Sequence, residues 1–289
     1  MKQIKKILIL GAAGMSGNAL IRYFSSDVNF IVYGSVRKSN LLRQLEARAP
    51  NAKIISSINV ENPDCLIRLF DSVKPEIVVN CVGIVKQLPQ SNNPLTVLPI
   101  NTLLPHQLAR LCEIVGARLV HLSSDCVFSG KKGSYLESDV PDATDLYGRS
   151  KLLGEVDYPN AITLRTSLIG HELLGRRSLI NWFLAQEGSV RGFTKAIFSG
   201  LPVVEIARVI REYILPNPEL HGVYHLSVDA ISKHDLLSIV KDVYGKQIEI
   251  IPDDSLVIDR SLDSTCFQEA TGFVSKPWYE LVQAMHDFG

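Results

Sequence analysis

Two side chains able to share a proton stand four residues apart in the run Tyr147-Gly148-Arg149-Ser150-Lys151. On a helix, positions i and i+4 lie on one face, so this spacing stacks a phenol against an ammonium. A phenol near its ordinary pKa of about 10 relays protons poorly at neutral pH, and a neighbouring cation lowers it towards the useful range. That is the chemistry needed to protonate a carbonyl oxygen as it is reduced. Alone the spacing is a frequent accident of surface composition; two upstream segments give it meaning. The first is His121-Leu122-Ser123-Ser124-Asp125-Cys126-Val127-Phe128. Hydroxyls at a strand's carboxyl end lie in the crevice where doubly wound sheets take ligands. Ser124 would donate a hydrogen bond to a substrate oxygen while Tyr147 gives or takes its proton. Turn capping is the competing role, credible for one of the two serines.

The second segment is Gly11-Ala12-Ala13-Gly14-Met15-Ser16-Gly17, a G-x-x-G-x-x-G spacing between an apolar strand and a helix. Glycine is needed where the turn takes positive φ, where backbone approaches a pyrophosphate, and where helix packs on strand. The helix start, with Met15 and Ser16, supplies free N–H groups and the positive end of the dipole. A purely structural turn shares the pattern, but its place at the head of a βαβ unit points to a dinucleotide. An NAD-binding loop of this kind carries an acid about 20 residues on, for the ribose 2′-hydroxyl. Here the second strand ends Tyr33-Gly34-Ser35-Val36-Arg37-Lys38, with no carboxylate. Arg37 can pair a 2′-phosphate bidentately and Lys38 adds charge, so the expected cofactor is NADP(H); a solvated basic turn is the plain alternative.

These groups need a scaffold, and the pattern supplies one. Short β-branched runs alternate with helix-period segments through the first half, as βαβ units do. Strands are expected at 6–10, 30–34, 53–56, 76–81, 118–122 and 161–165, and helices at 15–25, 40–49, 64–73, 102–115 and 145–157. The expected class is α/β, a Rossmann-type doubly wound parallel sheet with a smaller C-terminal α/β substrate lobe. Its cofactor domain covers 1–167, the segment around 200–228 returns to it, and 168–289 is mainly the substrate lobe. In that lobe, helices are expected at 179–186, 203–214, 234–244 and 278–285, and strands at 224–227 and 248–251. Pro89 to Pro105 reads as a long loop.

Composition narrows the function further. The 289 residues are 46% hydrophobic and 21% charged, with 30 basic and 30 acidic side chains. Disordered and fibrous classes are excluded, and zero net charge gives no footprint for nucleic acid or an anionic membrane. Met1 to Lys6 is charged like an export signal, but the apolar run behind it meets glycine after four residues. Five scattered cysteines without a C-x-x-C pair suit reduced thiols in the cytoplasm and no metal site. His121, His171 and His225 sit among apolar residues and read as structural. Asn181 and Arg260 are candidates for sugar and diphosphate contacts, since guanidinium suits phosphate oxygens.

The glycine loop, Asn80-Cys81-Val82-Gly83, Asn101, Ser123 to Gly130, Tyr147 to Glu155, Leu164-Arg165-Thr166-Ser167 and Gly222 to Leu226 form a series. It resembles the extended short-chain dehydrogenase/reductases, and most nearly the dTDP-4-dehydrorhamnose reductase family. The resemblance implies Ser124, Tyr147 and Lys151 as catalytic triad, with Lys151 also holding the nicotinamide ribose and Cys81, Val82 and Gly83 lining the cofactor. It implies NADPH-dependent reduction of a nucleotide-linked 4-keto-6-deoxy sugar for surface polysaccharide, sugar contacts at Lys86, Asp125 and Cys126, and a homodimer as a common assembly. Two features depart from the family: Cys126 stands where an aromatic is usual, and Val85-Lys86-Gln87-Leu88 differs from the usual loop. A 4,6-dehydratase needs a second carboxylate where Cys126 stands, and a buried thiol keeps its proton. A nucleotide-sugar epimerase and a non-catalytic NADP-binding regulatory subunit remain as alternatives.

Overall fold

The structure is a computed structural model that describes residues 4–289; Met1 to Gln3 of the charged N-terminal run lie outside the described residues. Along the first part of the chain run β1 (Lys5–Leu10), α1 (Met15–Ser25), β2 (Phe30–Ser35), α2 (Leu42–Arg48), β3 (Lys53–Ile55), α3 (Pro63–Val73) and β4 (Ile77–Asn80). They are followed by α4 (Pro94–Leu98), α5 (Leu104–Val115), β5 (Arg118–Leu122), α6 (Leu146–Leu153) and β6 (Ala161–Arg165). Then come β7 (Leu168–Ile169), α7 (Leu179–Leu184), β8 (Ser189–Phe193), β9 (Ala196–Phe198), β10 (Leu201–Pro202), α8 (Val203–Val209) and β11 (Gly222–His225). The chain closes with β12 (Ile231–Ser232), α9 (Lys233–Val243), β13 (Glu249–Asp253), β14 (Ile258–Asp259), α10 (Thr265–Thr271) and α11 (Trp278–Phe288).

Two compact units emerge. The first takes the chain up to Ser123 with 145–164 and 219–223; the second takes 124–144, 165–218 and 224–289. In the first unit the sheet order is β11-β6-β5-β4-β1-β2-β3, with β3 through β6 in parallel register. The near-continuous apolar strands follow from burial on both faces. Leu8, Leu10 and Val78 pack with Leu66, Phe70, Leu108 and Cys112 of α3 and α5, and α1 packs on β1 and β2. Strand order reverses between β1 and β4, and register sets Leu10 level with Asn80 and Asn80 level with His121. The segments after β1, β4 and β5 therefore leave at one edge, the switch point where such sheets bind ligands.

The expected loop from Pro89 to Pro105 is instead almost wholly helical. Pro89–Asn92 is a 3₁₀ turn, Pro94 opens α4, and Pro99–Leu103 is a wide π turn that leads into α5. Each proline stands at the start of a helical piece, where its missing N–H is no loss and its fixed φ is already helical. Asn93 caps α4 by accepting from Leu95 N–H at 3.0 Å. The π turn ends next to Pro105, which cannot donate to Asn101 O in an α ladder; Leu104 N–H reaches Pro99 O instead. Helix α6 also stops earlier than expected, at Leu153, where Gly154 follows.

The second unit has short strands: β10 beside β7, β9 between β12 and β14, and β13 beside β8. Its helices bury Ile206, Val209, Leu236, Val240, Leu281 and Met285.

Candidate active site

The turn after β1 needs its glycines for different reasons. Gly11 has φ of +82°, and a Cβ there would press on the Cys81 carbonyl at 3.2 Å. A Cβ on Gly17 would overlap Gly11 O, so the helix can lie on the strand end only without a side chain. Gly14 is different. Its φ of −76° suits any residue, and a Cβ would meet Gly11 O at an ordinary 3.4 Å. What Gly14 leaves open is the helix start: α1 has no side-chain cap and no acid in its first turn. The N–H groups around Met15 and Ser16, with the positive end of the helix dipole, are the kind of groups that favour an anion. The loop is tied to β2 by Ala12 N–H on Ser35 O at 2.9 Å. Beyond β2 the chain runs to Arg37 and Lys38, both exposed.

Helix α6 carries Tyr147 and Lys151. Asp145 caps it, accepting from Gly148 N–H at 2.9 Å, and Lys86 Nζ lies 3.0 Å from the same carboxylate. Lys86 thus has a partner at the helix start. Lys151 is 6% exposed, and its Nζ donates to Leu122 O at 2.7 Å, which pins the ammonium to the carboxyl end of β5. Burial pulls its pKa down to about 8, against the opposing pull of Glu155 and Cys81. Tyr147 is half-buried one turn earlier. Burial pushes the Cys81 thiol up to about 12, so it stays neutral beside that ammonium. His121 is buried and pairs with Asn80 Nδ2 at 3.2 Å; burial and the Lys151 charge hold it neutral.

One side chain holds this arrangement together. Asn101 Oδ1 accepts from Ile84 N–H at 2.8 Å, while its Nδ2 donates to Ile84 O at 3.0 Å and to Ser150 Oγ at 3.1 Å. Ser150 Oγ in turn donates to Tyr147 O at 2.8 Å. The loop after β4 and the helix bearing Tyr147 are therefore clamped by one buried amide. A Cβ on Gly154 would overlap Asn101 O, so this end of α6 lies directly on the π turn. Sequence reasoning gives Asn101 and Glu155 no role of their own. The signal for Asn101 was its place in the family-like motif series, an amide inside the run Pro99-Ile100-Asn101-Thr102-Leu103.

The two serines differ. Ser123 Oγ donates to Glu155 Oε1 at 2.7 Å. Ser124 Oγ caps the 3₁₀ turn Asp125–Val127, accepting from Cys126 N–H at 3.0 Å, and donates to Asp125 Oδ1 at 3.0 Å. Capping is thus one role of Ser124 itself. In the second unit, burial raises the Asp125 carboxyl, opposed by Arg260 and by the Ser124 bond, and pushes the Cys126 thiol up to about 12. Arg260 Nε donates to Phe128 O at 2.8 Å. Asn181 Oδ1 accepts from Glu172 N–H at 2.8 Å and from Ser178 Oγ, so it braces the loop before α7. His225 is fully buried and bonded to Tyr135 O and Arg165; His171 bonds Tyr244 OH at 2.8 Å. Among the described residues no cluster of three or more His, Cys, Asp or Glu could hold a metal, and no helix is long and apolar enough to cross a membrane.

A parallel sheet reversing between β1 and β4, with a glycine turn at that point, defines a Rossmann-type doubly wound fold. Within it, the chain belongs to the RmlD substrate binding domain family, whose model matches residues 5–287. The "Probable low-salt glycan biosynthesis reductase Agl14" of Haloferax volcanii is 24% identical, over 88% of this chain and 83% of that one. Methionine adenosyltransferase 2 subunit beta of Danio rerio is 26% identical, over 83% of this chain and 74% of that one. Among solved structures, dTDP-4-dehydrorhamnose reductase from Bacillus anthracis in complex with NADP superposes with a TM-score of 0.75 at 19% identity, covering 99% of both chains.

Proposed function

We propose that the protein is an NADPH-dependent reductase of a nucleotide-linked 4-keto-6-deoxy sugar, acting in the cytoplasm in the supply of sugars for surface polysaccharide. The observation that carries this reading is the Lys151 ammonium, buried and held by Leu122 O, on the helix that presents Tyr147 one turn earlier. Burying a cation is costly, and groups perturbed in this way cluster at functional sites.

The residues present fit a dinucleotide. The uncapped start of α1 would take the pyrophosphate through N–H groups at Met15, Ser16 and Gly17, with Gly11 and Gly14 giving close approach. Cys81, Val82 and Gly83 would border it, and Arg37 with Lys38 would pair the 2′-phosphate. Bound, that cofactor supplies the hydride. Lys151 stabilises the phenolate form of Tyr147 and would hold the nicotinamide ribose; Tyr147 delivers the proton to the sugar oxygen; Ser124 donates a hydrogen bond to the same oxygen. Lys86, Asp125, Cys126, Asn181 and Arg260 are the proposed sugar and diphosphate contacts. In this reading the first unit serves the cofactor and the second the sugar.

Purified protein with NADPH and a panel of nucleotide 4-keto-6-deoxy sugars should consume the cofactor's absorbance stoichiometrically with product. Tyr147→Phe should abolish turnover while dinucleotide binding persists; an unchanged rate would refute the assignment. Product epimerised without net cofactor consumption would identify an epimerase. The second reading is a non-catalytic NADP-binding partner, which the relative named as a subunit fits less well than the relatives named as reductases fit the first. For that reading, a stoichiometric partner in pull-down with no turnover on any keto-sugar is the deciding result.

A further inference from the structure

The single hydrogen of Ser124 already has an acceptor beside it, Asp125 Oδ1 at 3.0 Å. A serine hydroxyl has one hydrogen to give and two lone pairs to accept with. One lone pair is taken by Cys126 N–H at 3.0 Å, and a second contact, also 3.0 Å, runs to Asp125 Oδ1. A carboxylate only accepts. Facing an ionised Asp125, Ser124 must give up its single hydrogen there and keep only a lone pair for a sugar carbonyl, which is repulsive. Facing a neutral Asp125, the direction reverses: the acid donates, the lone pair accepts, and the serine hydrogen is released.

We propose that Asp125 is a positioning residue that sets the direction of the Ser124 hydroxyl, permitting donation to the sugar carbonyl when it is a neutral acid and withholding it when it is a carboxylate. The inference rests on the reductase reading. It uses a group that the proton and hydride steps leave idle, held in place by its own N–H on Thr166 O at 3.3 Å. The groups facing the carboxyl act in opposite senses. Arg260, beyond β14, and Lys233, at the start of α9, favour the carboxylate, as do the bonds from Ser124 and Cys126; burial favours the acid and is the larger influence. The Cys126 thiol stays protonated at neutral pH and adds no charge. Arg260 is tethered through Nε to Phe128 O rather than free to swing.

The test is the pH profile of kcat/KM for NADPH-dependent sugar reduction in wild type, Asp125→Asn, Ser124→Ala and the double variant. Wild type should fall about tenfold per pH unit above one apparent pKa. Asp125→Asn, whose amide can donate at every pH, should lose that limb and stay level until the Tyr147 limb. Ser124→Ala should lose it too, and adding Asp125→Asn to it should leave the shape of the pH profile as it is in Ser124→Ala alone. In wild-type protein carrying carboxyl-13C aspartate, one NMR resonance should titrate over the pH range of the limb, a measurement that does not depend on any variant folding. A uniform loss in Asp125→Asn with the limb in place, or no aspartate titrating with the rate, overturns the inference while the reductase stands. Absence of turnover in wild type overturns the reductase reading and the inference with it.

Discussion

Replacing Lys151 with Met should make the protein more stable at neutral pH and inactive. The methionine keeps the length of the side chain and removes the charge. Burial depresses the lysine pKa from its ordinary 10.5 to about 8, and each tenfold change in proton affinity is worth about 1.4 kcal/mol. Keeping the ammonium charged inside the fold therefore costs about 3 kcal/mol. Between about pH 8 and 10.5 the unfolded chain holds this proton and the folded chain does not, so wild-type stability rises with pH across that window. Lys151→Met has no such proton. Its advantage should be largest below pH 8, about 1–3 kcal/mol once loss of the bond to Leu122 O is allowed for, and should shrink by about 3 kcal/mol by pH 10.5. Denaturant unfolding of both proteins at several pH values from about neutral upward gives the difference directly, and titrating groups that do not feel the Lys151 charge cancel from it. A difference that is flat with pH, or that grows as pH rises, would refute the claim that the fold strains to keep this charge.

Other changes separate the roles of neighbouring residues. Gly14→Ala should leave stability within about 0.5 kcal/mol, since its Cβ makes only an ordinary contact, yet weaken NADPH binding at least about tenfold by crowding the helix start, as isothermal titration would show. Gly17→Ala, whose Cβ overlaps the Gly11 carbonyl, should cost about 1–3 kcal/mol in denaturant unfolding as well. Arg37→Ala should weaken NADPH binding by about 1.5–3 kcal/mol and leave NADH nearly unchanged; equal losses for both cofactors would remove the 2′-phosphate role. Asn101→Ala strands both polar groups of the Ile84 backbone and should cost about 2–4 kcal/mol, read as a fall in Tm, with kcat falling as the Tyr147 helix loosens.

The half of the chain that builds the main sheet was legible because its strands are buried on both faces. Ile7-Leu8-Ile9-Leu10 and Ile77-Val78-Val79 show no polar position in which register could hide, and α1 begins and ends where the glycine loop and the apolar stripe place it. Legibility failed where tertiary contacts define the element. Strands of two or three residues, such as β7, β9 and β14, have no period to detect and exist because a distant partner pairs them. The proline-rich stretch misled for a related reason. Proline marks loops by statistics, but here each ring opens a helical turn, and the feature that decides the matter is Asn101 reaching across to Ile84 and Ser150. Asn101 stood out only as one position of the family-like series, and its work in the site stayed hidden, since an amide's importance lies in its partners rather than in its type.

The stability argument and the clamp belong together. A lysine held charged at a cost of about 3 kcal/mol would relieve itself if it could, by swinging into solvent or by letting its helix shift. Its helix is denied that freedom: Asp145 caps the start, Ser150 is gripped by Asn101 and Thr102, and Gly154 lies against the π turn. The clamp supplies several buried hydrogen bonds, each worth about 1 kcal/mol, enough together to hold the ammonium in place. Loosening the clamp should therefore let Lys151 regain solvent. In Asn101→Ala the lysine pKa should climb from about 8 towards 10.5, which 15N NMR of the ammonium would follow, and the activity optimum should shift alkaline with it. Loss of activity in that variant with the lysine pKa unmoved would show that the clamp serves stability alone.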